Sequence, residues 1–193
     1  AHAGGYTMLI LVVGAKGGIG TTTLAQHLCR QANAVPLDAA DGTLALQMAG
    51  PGAPVLDLSL TAQWTASRRG RAVEQAVETR QPLLWSAACT VWRAPVMAFV
   101  WDAAALGHVV ADGGTTPPPA LVDLASLVLI VSADTPLAQW HERRLKQQWP
   151  QAHAVVGDLK TAAQVIAEET LGVPARKGLL DKTRATLGKG SKE

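Results

Sequence analysis

Residues 14–23 constrain the fold of this chain more than any other segment. They read Gly-Ala-Lys-Gly-Gly-Ile-Gly-Thr-Thr-Thr and follow an apolar run at residues 8–13, which predicts a buried β-strand. Helical spacing over residues 22–31 predicts an α-helix after them. A glycine-rich turn between a strand and a helix can bind phosphate, because its backbone N–H groups can point inward and the helix start adds its positive dipole end. On spacing alone, a plain strand-to-helix turn is the alternative.

The rest of the chain alternates apolar runs with helical patterns. This predicts an α/β fold, a three-layer sandwich with a mostly parallel central sheet. The further predicted strands are 34–37, 81–88, 96–100, 108–111, 127–132 and 152–156, and the further predicted helices are 66–80, 121–125, 137–148 and 161–171. Ligands of such sheets bind beyond the carboxyl ends of the strands. Asp38 and Asp112 each follow a predicted strand, so we expect both beside the glycine-rich segment.

Composition favours one domain with a real core. The chain has 193 residues, of which 48% are hydrophobic and 17% charged. Its longest apolar runs, at residues 8–13 and 121–131, are well short of the ~20 residues that a membrane span needs. Cys29 and Cys89 are far apart in the sequence and form no CxxC motif, so we interpret them as reduced, buried thiols of a cytoplasmic protein.

Residues 8–175 are predicted to form that domain. Residues 1–7 precede Met8, and we interpret them as a cloning remnant or a disordered N-terminus. Residues 176–193 are rich in Lys and Arg, although the net charge of the chain is only +2. Their sparse leucines make a thin apolar stripe, which predicts a solvated basic tail, with contact to a membrane surface or to DNA as the alternative.

The glycine-rich segment resembles the deviant Walker A motif of the MinD/ParA ATPases. Residues 16–22, Lys-Gly-Gly-Ile-Gly-Thr-Thr, are similar to the family's Lys-Gly-Gly-x-Gly-Lys-Thr. Residues 37–41 stand at the family's Asp-x-Asp segment, residues 109–112 at its Walker B strand, and residues 171–174 at a late Leu-Gly-hydrophobic-Pro turn. The resemblance spans residues 8–174, and it implies a P-loop NTPase fold that binds ATP or ADP with Mg²⁺.

The resemblance also implies a role for each matching residue. Thr22 and Asp112 match the residues on the Mg²⁺ side of the nucleotide. Lys16 matches the signature lysine, which reaches the nucleotide of the opposite subunit and so implies a homodimer. Asp38 matches the first carboxylate of Asp-x-Asp, and Asp41 is the candidate for the carboxylate that positions the attacking water. The nucleotide-binding loop would comprise Ala15, Lys16, Gly17, Gly18, Ile19, Gly20, Thr21, Thr22 and Thr23.

Two departures from the family's motifs predict a weakened site. Thr21 stands where the family has its phosphate-contacting lysine, which removes a charge-assisted hydrogen bond worth roughly 1.5–3 kcal/mol. Ala40 stands where the family has its water-positioning carboxylate, and Asp41 replaces it only after a one-residue shift of the backbone. The family's base-reading Asn has no counterpart near Gly157 and Asp158. We therefore predict a degenerate ATPase that binds nucleotide weakly and hydrolyses ATP slowly or not at all.

The variant motif is most similar to the CpaE/TadZ branch, whose members localise type IV (Tad) pilus machinery and often have a degenerate Walker A. This implies a switch or scaffold that positions a pilus or secretion assembly, in the cytoplasm or at the periphery of the inner membrane. The alternative is an active partition-type ATPase that cycles between monomer and dimer on DNA or membrane. Thr21 and Ala40 favour the first hypothesis, whereas Lys16, Thr22 and Asp112 keep the second open.

Tryptophan dominates the aromatic residues, with six Trp against one Tyr and one Phe. Trp64, Trp140 and Trp149 lie in polar stretches of the sequence. Because exposed tryptophan is enriched where proteins meet partners, we predict that at least one of these three contacts another protein, while others of the six pack in the core.

Overall fold

Seven short parallel strands form the centre of the computed structural model, which describes residues 7–50, 54–91 and 93–173. The strands are β1 (Leu9–Gly14), β2 (Val35–Asp38), β3 (Leu56–Asp57), β4 (Leu83–Leu84), β5 (Val109–Asp112), β6 (Leu127–Val131) and β7 (His153–Val155). They lie in the order β3-β4-β2-β5-β1-β6-β7, and every paired neighbour is parallel. The predicted α/β class with a parallel sheet is confirmed.

Helices cover both faces of this sheet. They are α1 (Thr21–Ala32), α2 (Thr43–Met48), α3 (Ala66–Thr79), α4 (Arg93–Leu106), α5 (Pro119–Leu124), α6 (Pro136–Gln148) and α7 (Leu159–Glu169), with 3-10 turns at Leu58–Gln63 and Ala87–Thr90. Because side chains alternate along a strand, Leu11 of β1 belongs to the core cluster that includes residues of α3, α4 and α5. Ile10 and Val12 belong to the cluster on the other face, which includes residues of α1, α2 and α7. The result is the predicted three-layer arrangement.

Two of the predicted strands are wrong in part or in whole. Residues 96–100 belong to α4, where Val96, Phe99, Val100 and Ala103 are buried at helical spacing. A short apolar run does not distinguish a buried strand from a buried helix, and here the run continues to Leu106 without a turn residue. The strand predicted over residues 81–88 is limited to β4, because the chain turns into a 3-10 helix at Ala87–Thr90.

Some features predicted from the sequence lie outside the described residues. These are residues 1–6, Trp92 and the basic tail at residues 176–193. Within the described residues, α2 and β3 were not predicted, because each is short and lacks a strong periodic pattern. The remaining predicted elements agree with the structure to within two residues at each end.

The register of the sheet places the sequence motifs at one edge. Asp38, the last residue of β2, pairs with Asp112, the last residue of β5. Val12 of β1 pairs with the same Asp112 on the other side. The glycine-rich loop that leaves β1 therefore starts beside both aspartates, at the carboxyl ends of the strands where α/β sheets bind ligands.

Gly14 ends β1 at a point where the backbone is closely surrounded. Its N–H donates to the carbonyl of Gly114 at 2.8 Å, and the following N–H, of Ala15, donates to Val131 at 2.9 Å. A Cβ at position 14 would collide with the hydroxyl of Thr21 and lie 3.1 Å from both Ile19 Cγ2 and the Lys16 carbonyl. The glycine-rich loop thus folds back over the end of its own strand.

We expect Gly14→Ala to lower the free energy of unfolding by about 1–3 kcal/mol, because the added methyl group overpacks this turn. In the Thr21→Ala background the same substitution should cost less, since the nearest colliding atom is then absent. Gly17→Ala is the matched control, because its Cβ would have no neighbour within 4 Å. Urea unfolding of the four variants and the parent checks this, and equal costs at positions 14 and 17 would contradict it.

His108, the residue before β5, is expected to make the stability of the folded chain sensitive to acid. The residue is half-buried, and its Nδ1 has no hydrogen-bond partner among the described residues. Burial lowers the pKa of the imidazole below its ordinary value of 6.5. The unfolded chain therefore binds more protons than the folded chain as the pH falls below 6.5, and stability decreases through that window.

We expect His108→Gln to lose less stability than the parent between about pH 8 and about pH 5. The substitution removes the proton uptake by the unfolded chain while keeping a polar side chain of similar length. His153→Gln, at an exposed histidine of β7, is the control and should behave as the parent does. Thermal unfolding at a series of pH values tests this, and an unchanged pH profile for His108→Gln would argue against it.

Candidate functional site

A cavity of about 590 Å³ opens at the carboxyl ends of β1, β2 and β5. Its wall is made by the glycine-rich loop, the segment after β2 and the segment after β5. The lining residues are Lys16, Gly17, Gly18, Gly20, Thr21, Thr22, Thr23, Ala39, Ala40, Asp41, Asp112, Gly113, Gly114, Thr115 and Thr116. Most of the predicted loop residues therefore meet Asp41 and Asp112 around one space. Ala15, Ile19 and Asp38 lie behind that wall.

The glycine-rich loop ends in two glycines with left-handed backbone angles. Gly18 has φ 68° and Gly20 has φ 101°, which only glycine adopts readily. Gly20 is the N-cap residue of α1 and has no side chain with which to cap the first turn of this helix. Its first N–H groups are therefore left for a ligand, and together with the helix dipole they favour an anion.

Thr22 and Asp112 meet at the floor of this cavity. The Thr22 hydroxyl donates to Oδ2 of Asp112 at 2.6 Å, and the Gly114 N–H donates to Oδ1 at 3.0 Å. Burial raises the pKa of Asp112, and the charges of Asp38 and Asp41 add to this rise, whereas the two hydrogen bonds oppose it. A hydroxyl and a carboxylate oxygen side by side suit a hard divalent cation, whose charge would offset the cost of burying the carboxylate.

Asp38 is completely buried beneath the loop that follows β2. Its Oδ1 accepts hydrogen bonds from the N–H groups of Ala40 at 3.0 Å and Gly42 at 3.1 Å, and its Oδ2 accepts one from Ala45 at 3.0 Å. Both carboxylate oxygens thus hold backbone and shape the start of α2. Asp38 lies behind the cavity wall, so a direct catalytic role for it stays a prediction.

Asp41 differs from Asp38 in both exposure and partners. It lies on the cavity wall and is exposed, and its Oδ1 accepts from the N–H of Thr43 at 3.0 Å. Hydrogen bonds from Thr43 lower the pKa of Asp41 below its usual range. The neighbouring Ala40 presents a methyl group toward the loop after β5, 3.1 Å from where a Cβ of Gly114 would stand.

Thr115 and Thr116 are cavity residues that the sequence analysis did not single out. They follow Gly113 and Gly114 directly after β5 and are exposed. The signal in the sequence was the run Asp-Gly-Gly-Thr-Thr after a buried strand, which offers two hydroxyl groups to a ligand. Leu159 was also missed, and its side chain packs where a Cβ of Gly20 would stand.

The tryptophan side chains differ widely in exposure. Trp85 is buried, Trp64 and Trp149 are partly buried, and Trp140 and Trp101 are 51% and 61% exposed. The guanidinium of Arg68 lies 4.4 Å from the centre of the Trp64 ring. Use of a tryptophan in an interface stays a prediction, for which Trp101 and Trp140 offer the largest exposed fractions.

The state of the cysteines and the length of the apolar helices were also predicted from the sequence. Cys29 and Cys89 are both buried and free, as predicted, and burial raises the pKa of both thiols. Among the described helices, none combines the length and apolar character that a membrane crossing requires.

Solved structures share this fold. No protein-family model and no curated protein matches the sequence. A ParA family ATPase from Chlorobium tepidum TLS matches with a TM-score of 0.60 at 14% identity, covering 94% of this chain and 90% of that one. A chain of the MinC:MinD cell division protein complex from Aquifex aeolicus matches with a TM-score of 0.56 at 17% identity, covering 92% and 85%. This chain therefore has the α/β fold seen in those two structures.

Proposed function

We propose that this chain is a MinD/ParA-like nucleotide-binding switch or scaffold that hydrolyses ATP slowly or not at all. The observation that carries the proposal is the 2.6 Å contact between Thr22 and Asp112 at the floor of a cavity walled by a glycine-rich loop. The loop supplies backbone N–H groups for phosphate, and the pair supplies oxygens for a cation. A plain strand-to-helix turn needs neither the cavity nor the buried carboxylate.

In this proposal the ligand is ATP or ADP with Mg²⁺. The hydroxyl of Thr22 and the carboxylate of Asp112 would hold the ion, which when bound neutralises phosphate charge. The backbone of residues 17–23 would bind the phosphates at the start of α1. The hydroxyls of Thr115 and Thr116, on the opposite wall of the cavity, would complete the polar lining.

Slow hydrolysis follows from the carboxylates around the cavity. Ala40 has no oxygen to position water, and both oxygens of Asp38 are engaged by backbone N–H groups. Asp41 is the remaining carboxylate on the wall beside Asp112, and it is engaged by Thr43. Thr21 brings no positive charge to the phosphates, so binding is weakened separately from the chemical step.

Lys16 supports the proposal of a homodimer. It lies on the cavity wall, and the ion pairs between described residues are Arg69–Asp102, Arg93–Asp123 and Lys146–Glu142, none of which includes it. A lysine in a tight glycine-rich turn is best compensated by an anion. By the family resemblance, that anion is the nucleotide bound by the opposite subunit.

The cellular role that we infer is to position a pilus or secretion assembly, as the resemblance to the CpaE/TadZ branch implies. The protein would then act in the cytoplasm or at the periphery of the inner membrane, with the basic tail at residues 176–193 as its contact to a membrane surface or DNA. The second candidate is a partition-type ATPase that cycles between monomer and dimer. The exposed carboxylate of Asp41 on the cavity wall favours this candidate.

Titration calorimetry with ATP and ADP, each with and without Mg²⁺, tests nucleotide binding. We expect weak binding that Mg²⁺ strengthens, and we expect Thr22→Ala and Asp112→Asn to remove the Mg²⁺ effect. Thr79→Ala, at an exposed threonine of α3, is the control. No binding of either nucleotide by the folded parent would overturn the proposal.

Thr21→Lys should tighten nucleotide binding roughly tenfold or more, because it restores a charge-assisted contact to phosphate. Phosphate release should remain near background in both the parent and this variant, since position 40 still lacks a carboxylate. A phosphate-release assay measures this directly. Robust Mg²⁺-dependent hydrolysis by the parent would favour the partition-type ATPase and assign the missing role to Asp41.

Analytical ultracentrifugation of the parent and Lys16→Ala, with and without ATP, tests the dimer. We expect the parent to self-associate more strongly with ATP, and Lys16→Ala to lose this increase while keeping any nucleotide-independent association. Lys146→Ala, at a lysine of α6 paired with Glu142, is the charge-matched control. A parent that stays monomeric at high concentration in both conditions would contradict the dimer, and a dimer indifferent to Lys16 would contradict only its proposed role.

A further inference from the structure

A second cavity lies on the other side of Lys16, between the segment after β5 and α6. Its volume is about 600 Å³, close to the 590 Å³ of the candidate nucleotide cavity. Lys16 and Thr116 line both cavities, whereas His141, Arg144 and Trp149 line only the second. The function proposed above does not use this space.

The second cavity is basic, and none of its lining residues among the described parts of the chain is acidic. Lys16 and Arg144 contribute two positive charges, and none of the ion pairs between described residues involves either side chain. Arg144 is ordered by its own helix, since its guanidinium lies 6.0 Å from the centre of the Trp140 ring. The edge of His141 packs on the same ring, with 4.7 Å between the two ring centres. The positive charges of Lys16 and Arg144 therefore favour a negatively charged ligand in this cavity.

The cavity continues into a groove. A further cavity of about 570 Å³ shares Pro117 and Trp149 with it and extends along α5 to Val122 and Asp123. From one end to the other, the groove is basic at Lys16, aromatic at Trp149, apolar along the α5 wall and acidic at Asp123. An elongated site of changing character suits an extended polypeptide better than a compact small molecule.

We propose that this groove, formed by the two cavities on either side of Trp149, binds an extended acidic segment of a partner protein. Carboxylates of the segment would pair with Arg144, and also with Lys16 in a subunit where Lys16 does not reach the nucleotide of the opposite subunit. An apolar side chain of the segment would pack on Trp149. A nucleic acid strand fits less well, because phosphates recur along its whole length, whereas the described groove residues offer basic side chains at the Lys16 and Arg144 end alone. The proposal needs no bound nucleotide and goes beyond the function proposed above.

The test uses a displayed library of random twelve-residue peptides, selected against the full chain and counter-selected against Arg144→Glu. We expect enriched peptides that carry Asp or Glu beside an apolar residue. Fluorescence anisotropy of an enriched peptide should show binding that weakens about tenfold or more with Arg144→Glu and also falls with Trp149→Leu. Arg143→Glu, at the adjacent exposed arginine outside the groove, is the matched control and should bind within about twofold of the parent.

Further measurements distinguish loss of the groove from loss of folding and from nucleotide binding. Circular dichroism and thermal unfolding confirm that each variant is folded, so lost binding reports on the groove. Thr22→Ala should bind the peptide as the parent does, which separates this proposal from nucleotide binding. The proposal would be overturned if neutral or basic peptides were enriched, or if no enriched peptide depended on Arg144. It would also be overturned by equal losses of binding with Arg143→Glu and Arg144→Glu, or by tighter binding of a single-stranded oligothymidylate than of the peptide.

Discussion

Two buried aspartates at the ends of neighbouring strands organise the candidate site. Asp38 and Asp112 stand side by side in the register of β2 and β5, where burying two carboxylates is costly unless each is hydrogen-bonded. Asp38 meets this requirement with three backbone N–H groups, and Asp112 with the Thr22 hydroxyl and the Gly114 N–H. The loops around the cavity are therefore built on these hydrogen bonds. Burial raises the pKa of Asp112 despite these hydrogen bonds, and a cation bound there would offset the cost of burying its charge.

In this arrangement, the groups proposed to bind nucleotide differ from the group that ATP hydrolysis would need. The glycine-rich loop and the Thr22–Asp112 pair keep the features that hold phosphate and a cation, and both depend on backbone geometry that the sheet imposes. By the resemblance to the MinD/ParA ATPases, ATP hydrolysis would need a further carboxylate that positions water, and Ala40 stands at the position of that carboxylate. The structure of Asp38 adds a second reason, because its oxygens are already used to hold the loop. Under the proposed function, the protein would report nucleotide occupancy rather than consume nucleotide.

The segment after β5 connects the two surfaces proposed to bind ligands. Thr115 and Thr116 line the candidate nucleotide cavity on one side and the basic groove on the other, and Lys16 does the same from the glycine-rich loop. If both proposals hold, the nucleotide site and the partner site are neighbours that share these walls. In this fold those walls come from the loops that are anchored on Asp112 and on the end of β1.

The sequence by itself determined the strand–loop–helix unit at residues 8–31, the parallel α/β class and the aspartates at the strand ends. These depend on apolar spacing and on glycine within a few residues, which local patterns record. It did not determine that residues 96–100 are helical, because a short apolar run fits either element. The strand topology and the family resemblance also predicted that Thr22 and Asp112 lie close together. Only the tertiary structure gave their direct hydrogen bond, between residues 90 positions apart, and brought Arg144 to the far side of Lys16. The physical reason is that such contacts are set by how the strands order in the sheet and by which loops share an edge, and no short stretch of chain specifies either.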